Sequence, residues 1–251
     1  MIKPLFLLDL DDTVLQTARK MPPDAPRQVA ALDKHGQPLS FTNTTQRQFL
    51  DWLLATADVV PVTARSVDAY QRVQIPFAQG AICAHGAVML KANGELDADW
   101  HNHMVKVLEE YQPAIQTLCQ RMASIGTETG LTLRTWMIEE QGMLIYALAK
   151  QTGHDDAVLA DVDSRLRQTT DLTEFYIHRN GNNLAVLPKV LHKRFAVEEW
   201  LRRNREVHGE RPVLGFGDSL SDIGFMQLCD WWATPQHGQL AQAVYQLLED
   251  E

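Results

Sequence analysis

The sequence predicts an α/β protein: a parallel-sheet core with a separate α+β unit inserted into it. Three observations carry that reading. Short apolar runs at Leu5–Leu8, 59–62 and Val213–Phe216 have no polar face, the pattern of strands buried on both sides of a parallel sheet. Each run breaks off into a polar cluster, at Asp9-Leu10-Asp11-Asp12-Thr13, Thr63-Ala64-Arg65-Ser66 and Gly217-Asp218-Ser219-Leu220-Ser221-Asp222. Between these runs the pattern changes, over about a hundred residues, to helix, strand, strand, helix, strand, strand.

Bulk properties narrow the field. A chain of 251 residues holds one large domain or two modest ones. Its net charge of −9 argues against nucleic acid as a partner. Cys83, Cys119 and Cys229 have no paired spacing, which fits free thiols in a reducing, cytoplasmic setting rather than a disulfide frame or zinc site. The opening apolar run is too short for a signal peptide, and no segment is apolar for long enough to span a bilayer, so no membrane is expected.

Taken in order, residues 5–8 form the first strand. Residues 29–33 and 38–41 flank Lys34-His35-Gly36-Gln37 and predict a hairpin, either a flap beside the strand end or a plain surface element. Thr44 or Thr45 is expected to cap a helix through Ala55. A second strand at 59–62 precedes a helix capped by Ser66, whose first amides favour an anion. A third strand at 81–84 leads into His85-Gly86-Ala87, where His85 either completes a turn or faces a ligand, the turn being preferred. Met104, Leu108, Tyr111, Ile115, Leu118 and Met122 recur at helical spacing, with Pro113 kinking or splitting that helix. Strands follow at 131–138 and 143–148 around Gly142, a helix at 155–167, and strands at 174–178 and 183–187 around Gly181. His101 and His103 are two apart and do not face one way on a helix. After residue 188 come a helix with Phe195, Val197, Trp200 and Leu201 on its apolar side, the strand at Val213–Phe216, a short strand at 229–234 and a closing helix at 240–248.

The polar clusters carry the chemistry. Ligands of parallel sheets bind beyond the carboxyl ends of the strands, so Asp9 and Asp11 stand at such a mouth. Two carboxylates this close need an opposing charge, and a divalent cation with oxygen ligands, most often Mg²⁺, supplies it. One carboxylate can then attack phosphorus while the other carries a proton. Thr63 can bond a phosphoryl oxygen. Lys193, in the first turn of a helix, opposes the macrodipole, which argues for a role other than helix stability; Lys189 is the rival. Asp218 and Asp222 form a second acidic cluster after a strand.

The order Asp-x-Asp-x-Thr, then Thr, then Lys, then Gly-Asp-x-x-x-Asp, with an α+β insert between the second and third, resembles the haloacid dehalogenase (HAD) phosphatases. Thr63-Ala64-Arg65 is similar to the Thr-Gly-Arg of one branch, with Ala64 a departure. His85 stands where relatives usually carry Asn, and Ser221 where many carry Asn. The resemblance implies a Rossmann-like HAD core over 1–84 and 187–251 and a cap of the C2b type over 85–186, similar to Cof-type, sucrose-phosphate and mannosyl-3-phosphoglycerate phosphatases. It further implies a Mg²⁺-dependent phosphomonoesterase acting on a small phosphate ester, with a sugar phosphate as the first guess. Asp9 would be the nucleophile and Asp11 the acid and base. Thr63, Arg65 and Lys193 would meet the substrate phosphate. Asp9, Asp11 (through its carbonyl) and Asp218 would hold the metal, with Asp222 close behind. A phosphomutase and a catalytically inactive sugar-phosphate sensor are the alternatives. A phosphoacceptor receiver module fits poorly, because its aspartate lies mid-chain and it is about half as long. Arg134, Trp136 and Arg179 are candidates for substrate contacts in the insert; the substrate and the oligomeric state are left open.

Overall fold

The computed structural model describes residues 2–152, 156–180 and 182–249. The chain divides into two compact units, Met1–Trp100 with His192–Glu251, and His101–Leu191. The seam expected at 84/85 falls inside a β-hairpin of the first unit, and the return expected at 187 comes at 192.

The first unit begins with β1 (Leu5–Leu8), followed by β2 (Gln16–Thr17), β3 (Arg27–Leu32), β4 (Pro38–Asn43) and α1 (Thr44–Thr56). The helix cap is Asn43 rather than a threonine. Its side chain accepts from the Gln46 amide while Gln46 reciprocates to the Asn43 amide, a capping box that satisfies two otherwise orphaned donors. Then come β5 (Asp58–Pro61), α2 (Val67–Gln71) capped by Ser66, β6 (Ala81–Cys83) and β7 (Val88–Leu90). β6 and β7 are antiparallel, and an isolated parallel bridge joins Val62 to Ile82.

The second unit follows α3 (Ala98–Glu109), which spans the seam. It comprises α4 (Gln112–Thr129), β8 (Leu133–Glu140), β9 (Met143–Gln151), α5 (Asp156–Thr169), β10 (Phe175–Asn180) and β11 (Asn183–Pro188). The helix interrupted at Pro113 is two helices, with the proline in the first turn of α4, where its missing N–H leaves no bond unmade. The sheet runs β10-β11-β9-β8, all antiparallel. Ile115, Leu118, Met122 and Ile125 of α4 and Leu159, Val162 and Leu166 of α5 bury their apolar stripes with Ala147, Ala149, Leu184 and Val186 of the sheet. The Gln141-Gly142 turn has both φ positive, as a two-residue hairpin requires. The turn expected at Gly181, and Asp155 at the start of the fifth helix, lie outside the described residues.

The chain re-enters the first unit with α6 (Lys193–His208), β12 (Val213–Phe216), α7 (Ile223–Met226), β13 (Trp231–Ala233) and α8 (Gln239–Glu249). Its main sheet, β13-β12-β1-β5, is wholly parallel. β1 lies in its interior, and all four of its residues are buried. Each buried side chain there contributes about 1.5–3 kcal/mol. Phe6 stacks on Phe216 at 5.5 Å between ring centres. The register sets Leu8 beside Phe216 on one side and Pro61 on the other. The chain therefore leaves all three strands at one edge of the sheet, one strand spacing (about 4.8 Å) apart.

Candidate active site

At that edge the backbone continues the ladder for one residue more. The Asp9 amide donates to the Phe216 carbonyl at 2.8 Å and the Val62 amide to the Leu8 carbonyl at 2.8 Å. Asp9 is thereby fixed at the end of β1, and its side chain is buried. Thr13 donates its hydroxyl to Asp9 Oδ2 at 2.9 Å, and Lys193 donates Nζ to Asp9 Oδ1 at 2.6 Å.

Lys193 bridges two acids, since its Nζ also donates to Asp222 Oδ1 at 2.7 Å. It is 4 % exposed, and Asp222 is fully buried. Gly86 lets the start of α6 come this close: a Cβ there would meet the His192 carbonyl oxygen at 2.9 Å and Ala196 Cβ at 3.2 Å. Asp222 is held from its other side by the Ser219 amide (3.0 Å) and hydroxyl (2.7 Å). Gly217 is required for the same reason, because a Cβ on it would lie 2.5 Å from Asp222 Cβ and 2.8 Å from Cγ. Asp218 comes off the same turn, with Gly238 packed on its backbone. Carboxylate oxygens of Asp9, Asp218 and Asp222 lie within 4.8 Å of one another.

Three carboxylates face one ammonium. Burial, and then the neighbouring Asp222 and Asp12, push Asp218 up to about 7. Burial also raises Asp9, against the pull of Lys193. Asp222 is held below the usual carboxylate range because Lys193 and Ser219 overcome its burial. With all three acids ionised, the excess is two negative charges, which a divalent cation neutralises. The donor set is all oxygen, as Mg²⁺ prefers, so these residues fit that ion.

The segment after β5 is held as tightly. Thr63 is buried; its hydroxyl accepts from the Arg65 amide at 3.1 Å. Its carbonyl accepts from the His85 amide at 3.2 Å, and the Arg65 carbonyl from the Ala84 amide at 2.7 Å. Ala84, His85 and Gly86 all have positive φ, of 52°, 58° and 100°. Such backbone costs about 1–3 kcal/mol per non-glycine residue, and here it serves to grip the Thr63–Arg65 turn. His85 thus lies in a turn.

Of the residues singled out in the sequence, Asp9, Lys193, Asp218 and Asp222 come together directly, and Thr63 stands at the end of the neighbouring strand. Lys189, the rival lysine, is exposed in the second unit. Arg65 forks onto Asp11, with Nε and Nη2 each 2.7 Å from a carboxylate oxygen. Such a fork is strongly preferred by paired geometry. Thr13, Ser219 and the Ala84–Gly86 turn were missed as supports. The threonine of the Asp-x-Asp-x-Thr pattern was a signal for the first; for the last, the sequence marked a turn at His85-Gly86 but not its bonds to Thr63 and Arg65. In the second unit Arg134 lies over the Trp136 ring at 5.5 Å, and Arg179 stands 3.8 Å from Asp163.

No protein-family model matches the chain, and no curated protein matches it in sequence. Solved structures do match. The C-terminal domain of C. albicans trehalose-6-phosphate phosphatase aligns with a TM-score of 0.59 at 16 % identity, over 90 % of this chain and 73 % of that one. The sucrose-phosphatase of Synechocystis, solved with sucrose and phosphate, aligns at 0.54 and 16 % identity, over 98 % and 87 %. A trehalose-6-phosphate phosphatase related protein aligns at 0.52 and 18 % identity, over 92 % and 85 %. The chain has the haloacid dehalogenase fold. In that HAD fold the edge where Asp9, Thr63 and Asp218 emerge is the carboxyl edge of the parallel sheet. No helix among the described residues is long and apolar enough to cross a membrane.

Proposed function

We propose that the protein is a Mg²⁺-dependent phosphomonoesterase acting on a small phosphate ester, a sugar phosphate by first preference, through an aspartyl-phosphate on Asp9. The observation that supports it most is the buried Asp9–Lys193–Asp222 bridge beside Asp218. A nucleophile-sized carboxylate is fixed at a strand end, in a setting whose remaining charge deficit suits a metal and a phosphoryl group. The neighbours named for sugar-phosphate phosphatases point the same way. On this reading Asp9, Asp218 and the Asp11 carbonyl hold the metal, and residues 101–191 act as a cap.

The metal, when bound, offsets the repulsion between carboxylate and phosphate. The residues of the chain do the rest. Lys193 and Thr63 bind phosphoryl oxygens. An Asp9 oxygen forms a bond to phosphorus as the ester P–O bond breaks, and Asp11 gives its proton to the departing alkoxide. Asp11 then takes a proton from water as that water attacks the aspartyl-phosphate, releasing inorganic phosphate and restoring Asp9. Asp222 keeps Lys193 charged and aimed.

Hydrolysis of p-nitrophenyl phosphate with Mg²⁺ tests this, compared with Asp9→Asn. The expected result is metal-dependent turnover in the wild type and a loss of at least about 10⁴-fold in the variant. Equal rates would remove Asp9 as nucleophile.

A further inference from the structure

We infer that Arg65 and Ser40 are positioning residues for Asp11, linking the β3–β4 hairpin to the proton-transfer step; this rests on the phosphatase reading above. Arg65 Nη2 has two partners. Besides Asp11 Oδ1 it donates to Ser40 Oγ at 3.1 Å. Ser40 lies within β4 and is 1 % exposed. A serine hydroxyl buried in a strand is costly unless bonded, and its bond is to the guanidinium that holds Asp11.

The hairpin is irregular at this residue. Val29 pairs with Phe41, Ala31 with Ser40 and Leu32 with Pro38. Ala30 is therefore an extra residue on one strand and Leu39 on the other, one on each side of the Ala31–Ser40 pair. Such bulges re-aim side chains and occur next to active sites. β2 pairs on the other side of β4, with Thr17 opposite Ser40. Ser40 is thus held between two strands, and its hydroxyl fixes one end of the Arg65 fork.

The fork occupies both Asp11 oxygens. The Arg65 side chain is 9 % exposed and that of Asp11 43 % exposed, so the arginine is packed and the acid is the open partner. Arg65 fixes the orientation of Asp11, whose side chain stays partly open to solvent. Lysine in its place keeps the charge and loses the fork. A displacement of the acid of about 1 Å is enough to cost roughly 10²-fold.

The test uses two substrates of nearly equal shape, p-nitrophenyl phosphate and phenyl phosphate. Phenol is the poorer leaving group and needs a donated proton more. kcat/KM covers the steps up to ester cleavage, so the ratio of the two values reports the acid step. Arg65→Lys is expected to lower kcat/KM for phenyl phosphate about 10²-fold and Ser40→Ala about tenfold, while p-nitrophenyl phosphate stays within about threefold of wild type. Equal losses on both esters would mean that Arg65 serves the phosphate or the fold, and would overturn the inference. So would unchanged values on phenyl phosphate. Absence of Mg²⁺-dependent turnover in the wild type on either ester would instead overturn the phosphatase reading, and this inference with it.

Discussion

Replacing Lys193 with methionine isolates the charge at the centre of the site. The stem keeps its packing and the ammonium is lost. In the wild type Nζ lies 2.6 Å from Asp9 and 2.7 Å from Asp222, with no more than 5 % of the lysine side chain exposed. Removing one partner of a buried ion pair typically costs about 3–5 kcal/mol, because the other charge is left uncompensated. Here two carboxylates lose the same cation. Asp9 absorbs part of the cost by taking up a proton, since burial already raises its pKa, which places the expected loss inside that range. At about 2–4 °C per kcal/mol for a chain of this size, thermal unfolding in EDTA should shift down by about 6–20 °C. Mg²⁺ should then raise the midpoint more in the Lys193→Met variant than in the wild type, because the ion meets less competing positive charge. Differential scanning calorimetry with and without Mg²⁺ reads both quantities. A midpoint within about 2 °C of wild type in EDTA would refute the claim that this lysine balances the buried acids.

Two further outcomes follow from the same geometry. Gly217→Ala places a Cβ 2.5 Å from that of Asp222; overpacking of this kind costs about 1–3 kcal/mol, so unfolding should come several degrees lower and Mg²⁺-dependent turnover should fall at least about tenfold, and an unchanged rate would show that Asp222 is not held where the charge argument needs it. In EDTA, stability should fall as pH rises from about 5 to 8. The folded Asp218 titrates at about 7 against 3.8 for the free side chain, so the fold holds that proton more tightly than the unfolded chain. The corresponding stability is complete below pH 4 and lost through pH 7, about 4 kcal/mol in all. His192, whose pKa burial lowers, contributes with the opposite sign. Asp9, which burial also raises, contributes with the same sign as Asp218, so Asp218→Asn should make the slope shallower without abolishing it, and thermal unfolding of both proteins across that range checks it.

The parallel core was readable because β1 and β5 are buried on both faces and say so in composition. Leu5–Leu8 and Val213–Phe216 have the bounds their apolar runs suggest. The register that joins Leu8 to Phe216 is a long-range property, which no local pattern contains. Asn43 was overlooked as a cap because two threonines follow it, and the reciprocal Gln46 was the available sign. β7 was missed since Val88–Leu90 pairs with β6 across a turn of three positive-φ residues, two of them not glycine, and propensity gives no warning of such strain. The pairing of Arg65 with Asp11 was hidden for a related reason. A guanidinium after a strand suits a phosphate and a carboxylate equally well, and only the fold brings Asp11, 54 residues away in sequence, within its reach.

The central claim, that Asp9 becomes phosphorylated, is tested most directly by chemical trapping. The protein is mixed with p-nitrophenyl phosphate and Mg²⁺, quenched in acid and reduced with borohydride, which converts an aspartyl-phosphate to homoserine. Peptide mass spectrometry should find homoserine at position 9 in the wild type and none in Asp9→Asn. Turnover accompanied by homoserine at another aspartate, or at none, would contradict it.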